Sequence, residues 1–220
     1  MLNIAIDGPS GAGKSSVAKA VAKNKGILYL DTGALYRAIG LYVLRKGLDT
    51  KSSAEVAPLL DEIHISLRFV DGVQRVILCG EDVTDTIRTQ PVAMAASDVS
   101  ALREVRSFLL SLQRDIAAKN DCIMDGRDIG TVILPNADLK IFLTASTEAR
   151  AHRRCSELAA KGIKADFDSV YKEIAERDSN DSSREIAPLK AADDAVTVDT
   201  TNMELDEVVG LISRMIGELV

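Results

Sequence analysis

The stretch IAIDGPSGAGKSS, residues 4–16, decides how the rest of the chain reads. A short apolar run meets Gly8-Pro9-Ser10-Gly11-Ala12-Gly13-Lys14-Ser15, which fits G-x-x-x-x-G-K-[ST] at each defined position. Glycines let backbone N–H groups turn inward around phosphate oxygens with no Cβ in the way. In such a loop Lys14 reaches the outer phosphates and the Ser15 hydroxyl enters a magnesium shell. The helical sequence that follows, with Ser16 in its first turn, points its positive N-terminal end at the same anion. Residues 8–16 therefore read as the holder of a Mg-nucleotide.

Outward from the loop, short strands alternate with helical stretches. LNIAID (2–7), ILYLD (27–31), CIMD (122–125), LKIFLTA (139–145) and DAVTVD (194–199) read as strands. Helices are expected from Gly13 to Lys25, over 34–47, from about Pro91 to Asn120, from near Ser146 onward, and at the C-terminal end. Ser52 with Glu55, and Thr201 with Glu204, each read as a capping box. The last helix should turn Val208, Leu211, Ile212, Met215 and Leu219 inward. Residues 63–84 break the rhythm: IHISLRF and QRVILCG alternate with period two about an Asp71-Gly72 turn, which reads as a small antiparallel insert. The fold class expected is α/β, a central and mostly parallel sheet flanked by helices. The 220 residues read as one domain, 1–220, with the 63–84 insert.

Composition narrows the classes of partner. Apolar residues make up 46% and charged residues 27%, with a formal net charge of −6. That balance speaks against gripping nucleic acid through its phosphates. No apolar run has a membrane-spanning length. The start MLNIAIDG lacks a basic stretch and reaches Asp7 early, so no secretory leader is expected. Cys79, Cys122 and Cys155 are scattered and suit reduced thiols in a cytoplasmic protein.

Four arginine-bearing segments follow the loop: DTGALYR (31–37), DGRDIG (125–130), RAHRR (150–154) and RDSNDSSR (177–184). Two come just after strand ends, the edge where open parallel sheets bind ligands. Phosphoryl transfer needs such groups, because negative charge spreads over the moving group and two phosphates must be brought together. Arg127, between glycines after a buried strand, is the strongest candidate, while Arg45, Arg103 and Arg214 read as solvated surface. Asp125, closing the CIMD strand, suits a role in positioning magnesium, directly or through water. At helical spacing Arg150, Arg153 and Arg154 cannot all face the phosphates.

At this point the chain resembles bacterial cytidylate kinases, a family of nucleoside monophosphate kinases with a phosphate-loop NTPase fold. The likeness lies in IAIDGPSGAGKSS, YLDTGALYR, IRTQPVAMAASDVS, MDGRDIGTVILPNADLKIFLTAS and ERDSNDSSREIAPL, together with the antiparallel insert. The resemblance implies ATP as donor, magnesium as cofactor, and CMP or dCMP as acceptor. It implies that Gly8, Pro9, Ser10, Gly11, Ala12, Gly13, Lys14, Ser15 and Ser16 hold ATP. Thr32, Arg37 and Arg127 would hold the CMP phosphate, with Arg184 near the transferred group. Ser97, Arg106 and Asp128 would read cytosine, and Arg177 and Asp181 would meet the sugar. The catalytic set would be Lys14, Arg127 and Arg184, with Ser15 and Asp125 toward the metal. The cytosine edge offers an amino donor beside two acceptors, which a carboxylate plus a guanidinium matches. The family further implies a monomer, with residues 150–185 as the lid that closes over the donor.

Other readings stay open at this stage: a kinase of another nucleotide or of a sugar acid, a GTP-binding switch, or a nucleotide-sensing module without turnover. The switch reading wants an N-K-x-D element on a late strand, and NKGI at 24–27 lacks the Asp and sits too early.

Overall fold

A computed structural model describes residues 1–70, 73–160 and 162–219. In chain order the elements are β1 (Asn3–Asp7), α1 (Lys14–Lys25), β2 (Leu28–Asp31), α2 (Thr32–Lys46), α3 (Ser53–Val56), β3 (Ile65–Val70), β4 (Val73–Leu78), β5 (Glu81–Asp82), α4 (Gln90–Val99), α5 (Arg103–Lys119), β6 (Cys122–Gly126), β7 (Leu139–Thr144), α6 (Thr147–Ala160), α7 (Phe167–Ser182), β8 (Val196–Asp199) and α8 (Leu205–Gly217). Two compact units result. One takes Met1 with Leu28–Asp121, the other Leu2–Ile27 with Cys122–Val220.

In the second unit the strands run in the order β6-β1-β7-β8, all parallel. β1 carries Ile4, Ala5 and Ile6 fully buried, the continuous apolar run of a strand covered on both faces. Its register sets Asp7 opposite Gly126 on one side and Phe142 on the other. The strand ends that bear the phosphate loop and the DGRD segment are thereby level. Helix α1 buries Val17, Ala18, Val21 and Ala22, the i, i+1, i+4, i+5 stripe of one helical face, and stops at Gly26, whose αL backbone returns its N–H to Ala22 O. Helices α6 and α7 share a small core of Ala151, Val170 and Ile174 with Cys155, Leu158, Ala165 and Phe167 beside it.

In the first unit, α2 supplies Leu35, Ile39 and Val43 to the core, where Val56, Leu78, Val92, Val99 and Leu109 meet them. Gly40 lets α2 come close to α4, since a Cβ there would lie 2.9 Å from Ala96 N. Strands β3, β4 and β5 form an antiparallel sheet with Ile65 opposite Leu78 and Val70 opposite Val73. The insert thus has a third short strand beyond the two expected, and the Asp71-Gly72 turn lies outside the described residues.

Four local expectations need correction. The last helix starts at Leu205, and its capping box is Glu204 with Glu207, not Thr201 with Glu204. The Thr201 hydroxyl instead accepts from Ser146 N at 3.0 Å, tying the end of β8 to the start of α6. The buried face of α8 is Val208, Val209, Ile212 and Ile216. Leu211 and Met215 are half-buried and Leu219 is exposed, because Leu219 falls beyond the end of the helix. At Ser52 only half of a capping box forms: Ser52 Oγ accepts from Glu55 N, while the Glu55 carboxylate takes the N–H of Asp49. Helix α2 also begins earlier than its apolar spacing indicated, at Thr32, because the Asp31 side chain caps it by accepting from Ala34 N at 3.0 Å.

Candidate active site

The chain leaves β1 through Gly8. Its φ is +147°, and a Cβ there would run into the Leu143 carbonyl oxygen, so only glycine lets the loop start this close to β7. Lys14 opens α1 and is buried, and its Nζ donates to Pro9 O at 2.7 Å, which folds the side chain back over the loop. Burial, followed by the charge of Arg127, pulls its ammonium down to about 7, against the attraction of Asp125, Asp7 and Asp181. An amine so placed gains by meeting an anion.

Ser15 Oγ donates to Asp125 Oδ2 at 2.8 Å. A hydroxyl and a carboxylate thus stand side by side at the start of α1 and the end of β6. These are hard oxygen donors of the kind magnesium takes, and together they would hold such an ion beside the phosphate loop. The residues fit the metal.

Strand β6 then delivers Gly126, Arg127 and Asp128. Arg127 Nε donates to Asp181 Oδ2 at 2.7 Å. Arg184, just past α7, grips Asp181 Oδ1. Burial alone would raise the Asp181 carboxyl, but the Arg127 and Arg184 guanidinium groups outweigh it and hold it below the usual carboxylate range. Arg177 lies one turn earlier on α7, its Nε buried without a hydrogen bond, and burial together with the charge of Arg127 lowers its pKa. Three guanidinium groups therefore stand around one buried carboxylate. That local surplus of positive charge suits a doubly charged phosphate, although the whole chain is acidic.

Asp128 is 3% exposed. Directly after it the backbone makes a π turn, Ile129–Ile133, where the sequence indicated only a loop. Its first two amides, Ile129 N and Gly130 N, each donate to the Asp7 carboxylate at 2.7 Å. Burial pushes Asp7 up to about 6, and those two amide bonds pull the other way. Asp7 is a site-building residue that sequence reasoning missed, having only its place before Gly8 to mark it.

The first unit holds the other expected residues. Thr32, 2% exposed, opens α2. Its neighbour Asp31 is pinned by Gln74 of the insert, which exchanges two hydrogen bonds with the Asp31 backbone at 2.9 and 3.2 Å, and by Arg88, 2.8 Å from Asp31 Oδ2. Gln74 and Arg88 carried no signal in the sequence. Arg37 NH1 donates to Ile87 O at 3.4 Å. Arg106, on α5, is buried, donates to Ser100 O at 3.1 Å, and sits 5.7 Å from the centre of the Tyr36 ring. Ser97 lies on α4, and its carbonyl accepts from Ser100 Oγ.

The arginines of RAHRR separate as helical spacing requires. Arg153 binds Thr200 Oγ1 at 3.0 Å, and Arg154 pairs with Glu157 at the surface. Arg150, 4% exposed, donates to Ser10 O at 2.9 Å, Ala145 O at 2.9 Å, Thr147 Oγ1 at 3.0 Å and Asp178 Oδ2 at 2.6 Å. Nothing in the sequence singled it out from its two neighbours.

Comparison with known proteins gives a consistent picture. The family model described as cytidylate kinase matches residues 4–218. A cytidylate kinase of Caldicellulosiruptor saccharolyticus is 48% identical over 219 residues, covering 100% of this chain and 97% of that protein. One of Carboxydothermus hydrogenoformans is 47% identical over 216 residues, covering 98% and 97%. A crystal structure of an uncharacterized protein from Eubacterium ventriosum matches with a TM-score of 0.54 at 14% identity over 99% of this chain and 98% of that one, a likeness of fold alone.

Proposed function

The chain belongs to the cytidylate kinase family, and from that premise we propose that it transfers the γ-phosphoryl group of ATP to CMP or dCMP, giving ADP and CDP or dCDP. The observation that carries this reading is the grouping of Arg127, Arg177 and Arg184 around Asp181. A nucleotide-binding module without an acceptor has no use for that much buried positive charge.

The roles follow from chemistry. Residues 8–16 hold ATP, with Lys14 on its outer phosphates. Ser15 and Asp125 hold magnesium, which supplies charge neutralisation across the donor phosphates. Thr32, Arg37 and Arg127 hold the acceptor phosphate, and Arg184 neutralises charge on the group in transit. Ser97, Arg106 and Asp128 read the base, while Arg177 and Asp181 take the sugar. No general base is required, because the acceptor phosphate is already ionised. Orientation and electrostatic stabilisation carry the step.

Under the same proposal, residues 63–84 belong to the acceptor-binding region, 150–185 form the lid, and the protein works as a cytoplasmic monomer without nucleic acid. No helix among the described residues is long and apolar enough to cross a membrane. The direct test is ADP release from Mg-ATP with CMP, dCMP, UMP, AMP or GMP in turn. Fast release confined to CMP and dCMP is expected. A different preferred acceptor would overturn the base-reading roles, and no turnover with any of them would overturn the kinase reading.

A further inference from the structure

We propose that Arg150 is a positioning residue that joins the phosphate loop to α7, so that the donor and the α7 side chains Arg177 and Asp181 are held by one guanidinium group. The proposal rests on ATP being the donor.

The geometry is that of a branch point. NH1 of Arg150 reaches the loop at Ser10 O, Nε reaches the end of β7 at Ala145 O, and NH2 reaches both Thr147 in the first turn of α6 and Asp178 on α7. A planar guanidinium spreads five N–H donors over three nitrogens in a fixed fork, whereas a lysine offers three from a single nitrogen and cannot span the same set of acceptors. The bond to Ser10 has a stereochemical consequence. The described chain has no cis peptide, so the Ser10 C=O and the Gly11 N–H point in opposite directions from one peptide plane. By holding the carbonyl, Arg150 fixes the Gly11 N–H facing away from itself, preorganised to donate to a phosphate oxygen.

Gly11 records the same closeness. A Cβ there would lie 3.2 Å from the Arg150 Cβ, and its φ is +76°. The glycine thus serves the approach of Arg150 as well as the turn. At the far end, Asp178 follows Arg177 directly and precedes Asp181 by about one turn. Its Oδ2 is taken by Arg150, and its Oδ1 is buried without a hydrogen bond. The hold on Asp178 sets the rotation of α7 and with it the faces that carry Arg177 and Asp181. The apolar contacts of Ala151 with Val170 and Ile174 keep α6 and α7 together without this ion pair, so the pair is available for registration rather than bulk stability.

The experiment measures Mg-ATP affinity directly, and amide exchange of segments 8–16 and 167–182 with and without Mg-ATP, in wild type, Arg150→Met, Arg150→Lys and Asp178→Asn. In the wild type, Mg-ATP should slow exchange in both segments. Arg150→Met should bind Mg-ATP at least tenfold more weakly, and Arg150→Lys should fall between it and the wild type. Asp178→Asn should keep its affinity within about twofold, because the Ser10 bond survives, yet lose the protection of 167–182. Undiminished protection of 167–182 in Asp178→Asn overturns the proposal, as does wild-type affinity in both Arg150 variants. Should Arg150→Met fail to fold, Arg150→Lys and Asp178→Asn still decide. CMP turnover by the wild type is scored separately, so failure of the kinase reading leaves the exchange result intact and interpretable.

Discussion

Replacing Arg127 by alanine leaves Asp181 still paired with Arg184, so the fold should survive while turnover drops by roughly 10²- to 10³-fold, as when one electrostatic stabiliser of a transition state is lost. Initial rates with Mg-ATP and CMP, beside a circular dichroism melt, check both halves, and near-normal turnover would remove Arg127 from the site. Asp128→Ala should act on choice instead. Cytosine differs from uracil by an amino donor, and a buried carboxylate without that partner is costly, so the CMP-to-UMP ratio of kcat/KM should fall by about tenfold or more. An unchanged ratio would count against base reading. The sequence marked Arg127 as a candidate because it follows a buried strand within a glycine-flanked turn, while its pairing with Asp181 came only with folding. Asp7 was not, since its partners Ile129 and Gly130 are more than a hundred residues away.

At the scale of elements, the π turn after β6 rests on Asp7, and its energetics have a pH signature. The folded pKa of about 6 lies above the ordinary 3.8. The native state therefore holds more protons between those values, and this group costs stability as pH rises through that window. Between pH 4 and pH 7, wild type should lose on the order of 2 kcal/mol relative to Asp7→Asn, measured by urea unfolding at both pH values. The lowered Asp181 works in the opposite direction but is present in both proteins and cancels. A difference independent of pH would show that the two amide bonds, not burial, govern Asp7. At the other end of the chain, Glu204→Ala removes the cap of α8 and should cost about 1 kcal/mol in the same assay. Thr201→Ala, which would be the damaging change if the helix began where its S/T-x-x-E pattern indicated, leaves the capping box untouched. The pattern misled because Thr201 is drawn to Ser146 by tertiary contact, which leaves the N-cap position to Glu204.

For the whole molecule, ligand binding to the folded state should appear as thermal stability. Mg-ATP at about 100 times its dissociation constant contributes roughly 2.7 kcal/mol. For a chain of this length that corresponds to a rise in Tm of about 5–10 °C. Lys14→Ala should abolish most of the rise, and a rise that persisted would place the nucleotide elsewhere. The sequence by itself determined the phosphate loop, the alternation of strand and helix, and the antiparallel insert. Each of these is encoded in a run of adjacent residues, through glycine freedom, a period of two or a period near 3.6. Only the tertiary structure decided which partners each arginine meets. In the sequence Arg150 looks like Arg153 and Arg154, yet it becomes the buried link between Ser10 and Asp178, while Gln74 fastens the backbone of Asp31. The physical reason is that a guanidinium or a carboxylate is defined by its partners, and those partners are brought together by folding across spans of up to 140 residues, which no local pattern records.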